Sequence, residues 1–192
     1  YGINPEEIRM VTRQKAREIW HQLPVYDYCR KSGISSWEGL WAGYLGESEE
    51  LQELSRLCKD YQLNAWHTSL LHFEIEDQNL AVELSQTFNR ERRKRHHVFP
   101  GVPDLLTGLA KEYRLGLITN GAPGLQWEKI HGSGIGKYFE HVVISGNIGV
   151  GKPGPEIFLT AIAKFGADRR NFVMIGDTLG TDIMGARNVG IK

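Results

Sequence analysis

Cysteine is scarce: Cys29 and Cys58 are the only two in 192 residues. Two thiols without metal-ligand spacing exclude a disulfide framework and a zinc module. We read them as ordinary thiols of a protein in a reducing cytosol, so the expected location is cytoplasmic. Long apolar runs are missing as well, none approaching the roughly 20 residues that a membrane helix needs. So is an excess of either charge, since Lys plus Arg and Asp plus Glu each total 23. A chain balanced in this way exerts no general pull on nucleic acid or anionic lipid, and neither is expected as a partner. No internal repeat or low-complexity tract interrupts it. It also opens without Met, as Tyr1-Gly2-Ile3-Asn4-Pro5, and closes on Gly190-Ile191-Lys192, where a helix-ending Gly leads toward another strand. We therefore read the chain as a fragment of a longer protein. What is present is a hydrophobic fraction of 41%, enough for one sizeable globular domain or two small ones.

The two halves differ in period. Residues 1–97 read as almost wholly helical. Asn4-Pro5-Glu6-Glu7 combines a capping Asn, Pro at the first helical position and acids facing the helix dipole. Ser35-Ser36-Trp37-Glu38 fits a capping box ahead of Leu40, Trp41 and Tyr44. Leu51, Leu54 and Leu57, then Leu80 and Leu84, continue at helical spacing. Trp20, Trp37, Trp41 and Trp66 lie in this half and fit a core better than a ligand cage. The basic run Arg90 to His97 suits a helix C-terminus, with a nucleic-acid arm as the alternative. Its adjacent His96 and His97 point apart by about 100° on a helix and make a poor chelating pair.

Residues 98–192 alternate instead. Beyond a hinge at Pro100-Gly101, helices are expected over 102–113, 123–131, 155–165 and 182–188, and strands over 115–118, 142–145 and 172–175. That alternation predicts a parallel sheet in an α/β fold. The expected architecture is thus a Rossmann-like, three-layer parallel core, incomplete at both ends, with an all-α helical domain before it.

Chemistry collects where these strands end. The run Phe172-Val173-Met174-Ile175 reads as a buried strand, followed by Gly176 and by Asp177 and Asp182. Carboxylates at the carboxyl end of a parallel strand sit where such sheets place ligands, and a buried acid there needs a partner, most simply a divalent cation. Leu117-Ile118 runs into Thr119-Asn120-Gly121, a turn whose hydroxyl and N–H groups suit an anion, although the same tripeptide makes an ordinary turn. After Val142 to Ser145, the segment Gly146 to Gly154 spells both G-x-x-x-x-G-K and G-x-G-x-x-G. Pro153 argues against both nucleotide readings. It offers no hydroxyl for magnesium and no N–H for phosphate, and it disfavours helix at Lys152. One hydroxyl, one ammonium and two carboxylates, from three strand ends, make up an inventory for Mg²⁺-assisted phosphoryl transfer.

In order and spacing these residues resemble the haloacid dehalogenase (HAD) superfamily, in its phosphatase branch with a helical cap. The family's apolar strand ending in Thr or Ser matches Leu117 to Gly121. Its Lys-Pro followed by an x-Phe helix matches Lys152-Pro153 through Ile157-Phe158. Its G-D-x-x-x-x-D matches Gly176-Asp177 through Asp182, with Gly185-Ala186 beyond. The resemblance implies that Thr119 and the N–H of Asn120 bind the transferring phosphoryl group and that Lys152 stabilises its charge. It further implies that Asp177 ligates Mg²⁺ and that Asp182 holds a metal-bound water or orients Lys152. The helical half, residues 1–97, resembles the cap inserted after the family's first motif. A cap of that size suggests a small soluble substrate: a sugar phosphate, a nucleotide or phosphoglycolate.

One family motif is absent. No Asp here has another Asp two positions later, and without the Asp-x-Asp nucleophile a phospho-aspartate intermediate cannot form. The resemblance places that motif just upstream of Tyr1. The expected activity is Mg²⁺-dependent phosphomonoester hydrolysis by the parent protein, with residues 1–192 inactive alone. A non-catalytic HAD-like binding protein, a phosphomutase and a dehalogenase are the alternatives.

Overall fold

The structure, a computed structural model, describes residues 2–192. It divides into two compact units. The first contains the described residues up to Arg30 and Ile34–Arg95, and the second contains Lys31–Gly33 and His96–Lys192.

The first unit is helical. Its elements are α1 (Pro5–Trp20), α2 (Tyr26–Ser32, whose last residues join the second unit), α3 (Ser36–Gly39), α4 (Glu49–His72) and α5 (Gln78–Arg93). Each long helix starts on a side chain that accepts an otherwise unpaired N–H. Asn4 Oδ1 takes Glu6 N at 2.9 Å, Ser48 Oγ takes Leu51 N at 3.3 Å and Asp77 Oδ1 takes Leu80 N at 2.9 Å. Thr12, Ala16 and Trp20 recur every fourth residue and form the buried stripe of α1. Trp20 meets Tyr61 edge-on at 4.9 Å, while Trp37, Trp41 and Trp66 surround Phe88 at 5.4, 5.8 and 5.4 Å. Trp20, Trp41 and Trp66 are core and Trp37 is half-buried against it, packed in the edge-to-face manner that aromatic quadrupoles favour. Part of the basic run is committed to the same core. Arg92 stacks over the Trp41 ring at 4.3 Å, and Arg93 donates to the Trp41 carbonyl at 3.1 Å.

In the second unit, β1 (Gly116–Thr119) and β2 (His141–Ile144) pair in parallel, with Gly116 opposite His141 and Thr119 opposite Ile144. The helices are α6 (Val102–Leu109), α7 (Pro123–Gly132), α8 (Pro155–Phe165) and α9 (Met184–Asn188). A core of Val143, Ile157, Phe158, Ala161, Ala186, Val189 and Ile191 binds the sheet to α8 and α9. This is a Rossmann-like parallel core. Two expectations differ from it. Phe172 to Ile175 is extended but lies in neither strand's ladder, and its Met174 N–H bonds to the Lys192 carbonyl at 2.8 Å. Val173 and Ile175 are 71% and 81% exposed, so the run is not a buried strand. Strand character needs a hydrogen-bonded neighbour as well as apolar residues, and no described strand flanks this segment. The helix expected over 182–188 begins instead as a π-turn, Leu179–Ile183, before α9.

Gly185 permits the closest packing in this core. A Cβ there would lie 2.4 Å from Cε2 of the fully buried Phe158 and 3.1 Å from Cα of Pro153. Gly185→Ala is expected to destabilise the protein by about 1–3 kcal/mol, as overpacking of a filled core does. Urea unfolding midpoints check this, and an unchanged midpoint would contradict the packing.

Candidate active site

Thr119 closes β1, and its hydroxyl donates to Gln126 Oε1 on α7 at 3.1 Å. Gln126 is nearly buried among Leu125 and Ile130, and its carbonyl oxygen orients the hydroxyl. The turn that follows is tied to the end of β2. Gly121 N–H donates to Ser145 Oγ at 2.9 Å, and Ser145 donates in turn to the Ser32 carbonyl. Ser145 is fully buried, so both bonds satisfy groups that water does not reach.

From Gly146 to Gly154 most backbone N–H groups go to protein partners. Gly146 N–H goes to Gly121 O, Ile148 and Gly149 to Ser145 O, Gly151 to Lys31 O, Lys152 to Asn120 Oδ1, and Gly154 to Gly151 O. A phosphate cradle of the P-loop or dinucleotide kind requires such groups to be open. Helix α8 also begins only at Pro155, three residues past Lys152. The two glycine-rich spellings are therefore turn structure. The Lys152–Pro153 peptide is cis.

Lys152 and Asp182 meet. Nζ lies 2.7 Å from Asp182 Oδ1 and donates to the Ile118 carbonyl at 3.2 Å. The side chains are 14% and 6% exposed, so the pair works in a largely desolvated place. Asp182 Oδ2 also accepts the Thr178 N–H at 3.1 Å. Burial acts to raise the Asp182 pKa, but Lys152 and the N–H groups of Thr178 and Asp177 more than reverse it, and the net direction is down. Asp177 differs. Its carboxylate is exposed and accepts the Thr178 hydroxyl at 3.3 Å.

The structure thus brings Asn120, Lys152 and Asp182 into contact and sets Thr119 beside them at the end of β1. Asp177 is the carboxylate left open to solvent. Among the described residues no three His, Cys, Asp or Glu side chains converge on a metal position. Asp182 is engaged by Lys152, so the donor set for a divalent cation is Asp177 alone and is incomplete within these residues. Sequence reasoning missed Gln126 and the Asn120 side chain. Gln126 had one signal, a polar residue flanked by buried apolar ones on a helix that opens directly after Thr119-Asn120-Gly121.

The model of the haloacid dehalogenase-like hydrolases matches residues 12–190. A phosphoserine phosphatase of Thermus thermophilus is 33% identical over 184 residues, covering 94% of this chain and 71% of that protein. A glyceraldehyde 3-phosphate phosphatase of Pyrococcus abyssi is 49% identical over 94 residues, and there the match spans 48% of this chain and only 40% of the relative. In three dimensions the chain is similar to the HAD-hydrolase YfnB of Bacillus subtilis, with a TM-score of 0.57 at 21% identity, covering 95% and 80% of the two chains. With three motif-bearing loops on a Rossmann-like core and a match along nearly the whole chain, this protein belongs to the haloacid dehalogenase-like hydrolases.

Proposed function

We propose that the chain carries most of the active site of a Mg²⁺-dependent phosphomonoester hydrolase acting on a small soluble phosphorylated metabolite. The observation that carries this reading is the Lys152–Asp182 ion pair, 2.7 Å long, whose ammonium also donates to the carbonyl of Ile118, next to Thr119 and Asn120 in β1 and the turn after it. A desolvated ammonium fixed beside a hydroxyl and a turn suits the charge that develops on a transferring phosphoryl group. The phosphatase activities named for the relatives support the same reaction class.

In this reading Thr119 and the Asn120 N–H hold the phosphoryl oxygens, and Lys152 neutralises them. Asp182 keeps Lys152 charged and aimed. Asp177 supplies the open carboxylate for Mg²⁺, which would screen phosphate charge when bound. The attacking carboxylate comes from an Asp-x-Asp upstream of Tyr1, and the phospho-aspartate forms there. The exposed, extended Val173 and Ile175 support a further strand beside them. The helical residues 1–97 serve as the cap.

The test is release of inorganic phosphate from a panel of phosphomonoesters by the full-length protein, with Mg²⁺ and with a chelator. Turnover is expected with Mg²⁺ and is expected to vanish on chelation. Residues 1–192 alone are expected to be inactive, and appreciable Mg²⁺-dependent activity from them would refute the upstream nucleophile. A full-length protein inert toward the whole panel favours the non-catalytic binding alternative.

A further inference from the structure

The reading above leaves the side chain of Asn120 without a task. Its Oδ1 accepts the Lys152 N–H at 2.8 Å, and its Nδ2 donates to the Lys152 carbonyl at 3.0 Å. One primary amide thus grips both backbone groups of one residue, across 32 positions of sequence. Holding N–H and C=O of the same residue from one side fixes the direction of its Cα–Cβ bond. That bond launches the Lys152 side chain toward Asp182 and the Ile118 carbonyl.

The amide has no room to turn away. A Cβ placed on Gly33 would lie 2.9 Å from Asn120 Nδ2, and one placed on Gly151 would lie 2.8 Å from Cγ, Nδ2 and Oδ1. Gly33 and Gly151 therefore sandwich it, and the Lys31 carbonyl takes the Gly151 N–H at 2.8 Å to close the stack. Few side chains satisfy both bonds. Asp accepts but cannot donate to the Lys152 carbonyl, Gln is one methylene too long for the same stack, and Ala offers neither group.

We propose that Asn120 is the positioning residue of Lys152. Its amide orients the lysine through the backbone, and the geometry of the ammonium depends on that clamp. The inference rests on the reading of Lys152 as the group that stabilises phosphate charge, but one of its two tests does not require activity.

The first test is acetylation of lysine amines in the full-length protein, followed peptide by peptide by mass spectrometry. Lys152 is expected to label slowly in the wild type. Asn120→Ala and the near-isosteric Asn120→Asp are each expected to raise its rate about tenfold, the weight of roughly one net hydrogen bond. The exposed Lys164 on α8 serves as the internal reference and is expected to keep its rate. If Asn120→Ala fails to fold, Asn120→Asp carries the test alone. An unchanged Lys152 rate in a folded variant overturns the proposal.

The second test is a double-mutant cycle on turnover. Asn120→Ala is expected to lower kcat about 100-fold, as a misplaced catalytic group does, with little change in KM. Made on top of Lys152→Ala, it is expected to cost nothing further, because a residue that acts only through Lys152 has nothing left to position. An equal loss in both backgrounds overturns the proposal. A wild type without phosphatase activity defeats the functional reading instead, and the labelling result still decides the clamp.

Discussion

Lys152→Ala is expected to lower turnover of the full-length protein by about 100- to 1,000-fold, the cost of removing one stabilising group aimed at developing charge. It is also expected to destabilise the fold. The substitution leaves Asp182 buried without its cation, a change that costs about 3–5 kcal/mol where such a pair is broken. The two effects separate. In Lys152→Met/Asp182→Leu both charges leave together, so stability is expected to recover while activity stays lost. Recovery of both would show that Lys152 matters only as a structural partner.

The pH dependence follows from the same pair. In the wild type the Asp182 pKa is lowered, because Lys152 and the Thr178 N–H outweigh the raising effect of burial. A depressed folded pKa contributes stability above the unfolded carboxylate value of about 4, and that contribution is lost as pH falls through the folded value. Without Lys152, burial is the largest remaining influence, and it raises the pKa. The stability that Asp182 contributes above its unfolded pKa then shrinks, because only the Thr178 and Asp177 N–H groups still oppose burial. Urea unfolding between pH 3 and pH 7 is expected to show the wild type losing stability toward the acid end and Lys152→Ala losing less. Parallel profiles would mean that the pair contributes nothing.

Asp177→Asn is expected to abolish Mg²⁺-dependent turnover, a loss greater than the roughly 10- to 100-fold that follows removal of an outer partner of a metal ligand. Its effect on stability is expected to stay within about 0.5 kcal/mol, because the side chain is exposed and, among the described residues, pairs with no cation. Asp182→Asn is expected to weaken turnover less, since the amide still accepts from Lys152. The pattern is read from kcat against Mg²⁺ concentration, beside urea midpoints for each variant. If neither substitution alters the rate, the site has been assigned to the wrong residues.

Much of this molecule was legible in its residues. Asn4-Pro5-Glu6-Glu7 marked the start of α1, Pro155 and Gly166 bounded α8, and the apolar runs ending at Thr119 and Ser145 became the two paired strands. The family followed from Thr119, Lys152, Asp177 and Asp182 in order, and the family model matches residues 12–190. One expectation failed because it depended on a neighbour. Phe172 to Ile175 has strand composition, but a strand exists only where another backbone pairs with it. The glycine-rich stretch ending at Lys152 spells a phosphate loop, a reading that Pro153 opposed in the sequence, and most of its N–H groups go to Gly121, Ser145, Lys31 and Asn120. A spelling specifies which donors a segment owns and leaves open where they point.

The division between local and distant information is sharpest in the residues 31–33. By sequence they end a helix of the first half, yet they lie in the second unit. There the Lys31 and Ser32 carbonyls accept from Gly151 and Ser145, and Gly33 walls the Asn120 amide. By itself the sequence determined the helices, the strand ends and the kinds of chemical group at those ends. Caps, turns and hydrophobic period act over about four residues and need no knowledge of the fold. Only the tertiary structure decided that Lys152 pairs with Asp182, that Asn120 grips Lys152 and that Asp177 stays open. Those partners stand tens of residues apart in the chain, and folding alone brings them within hydrogen-bond distance.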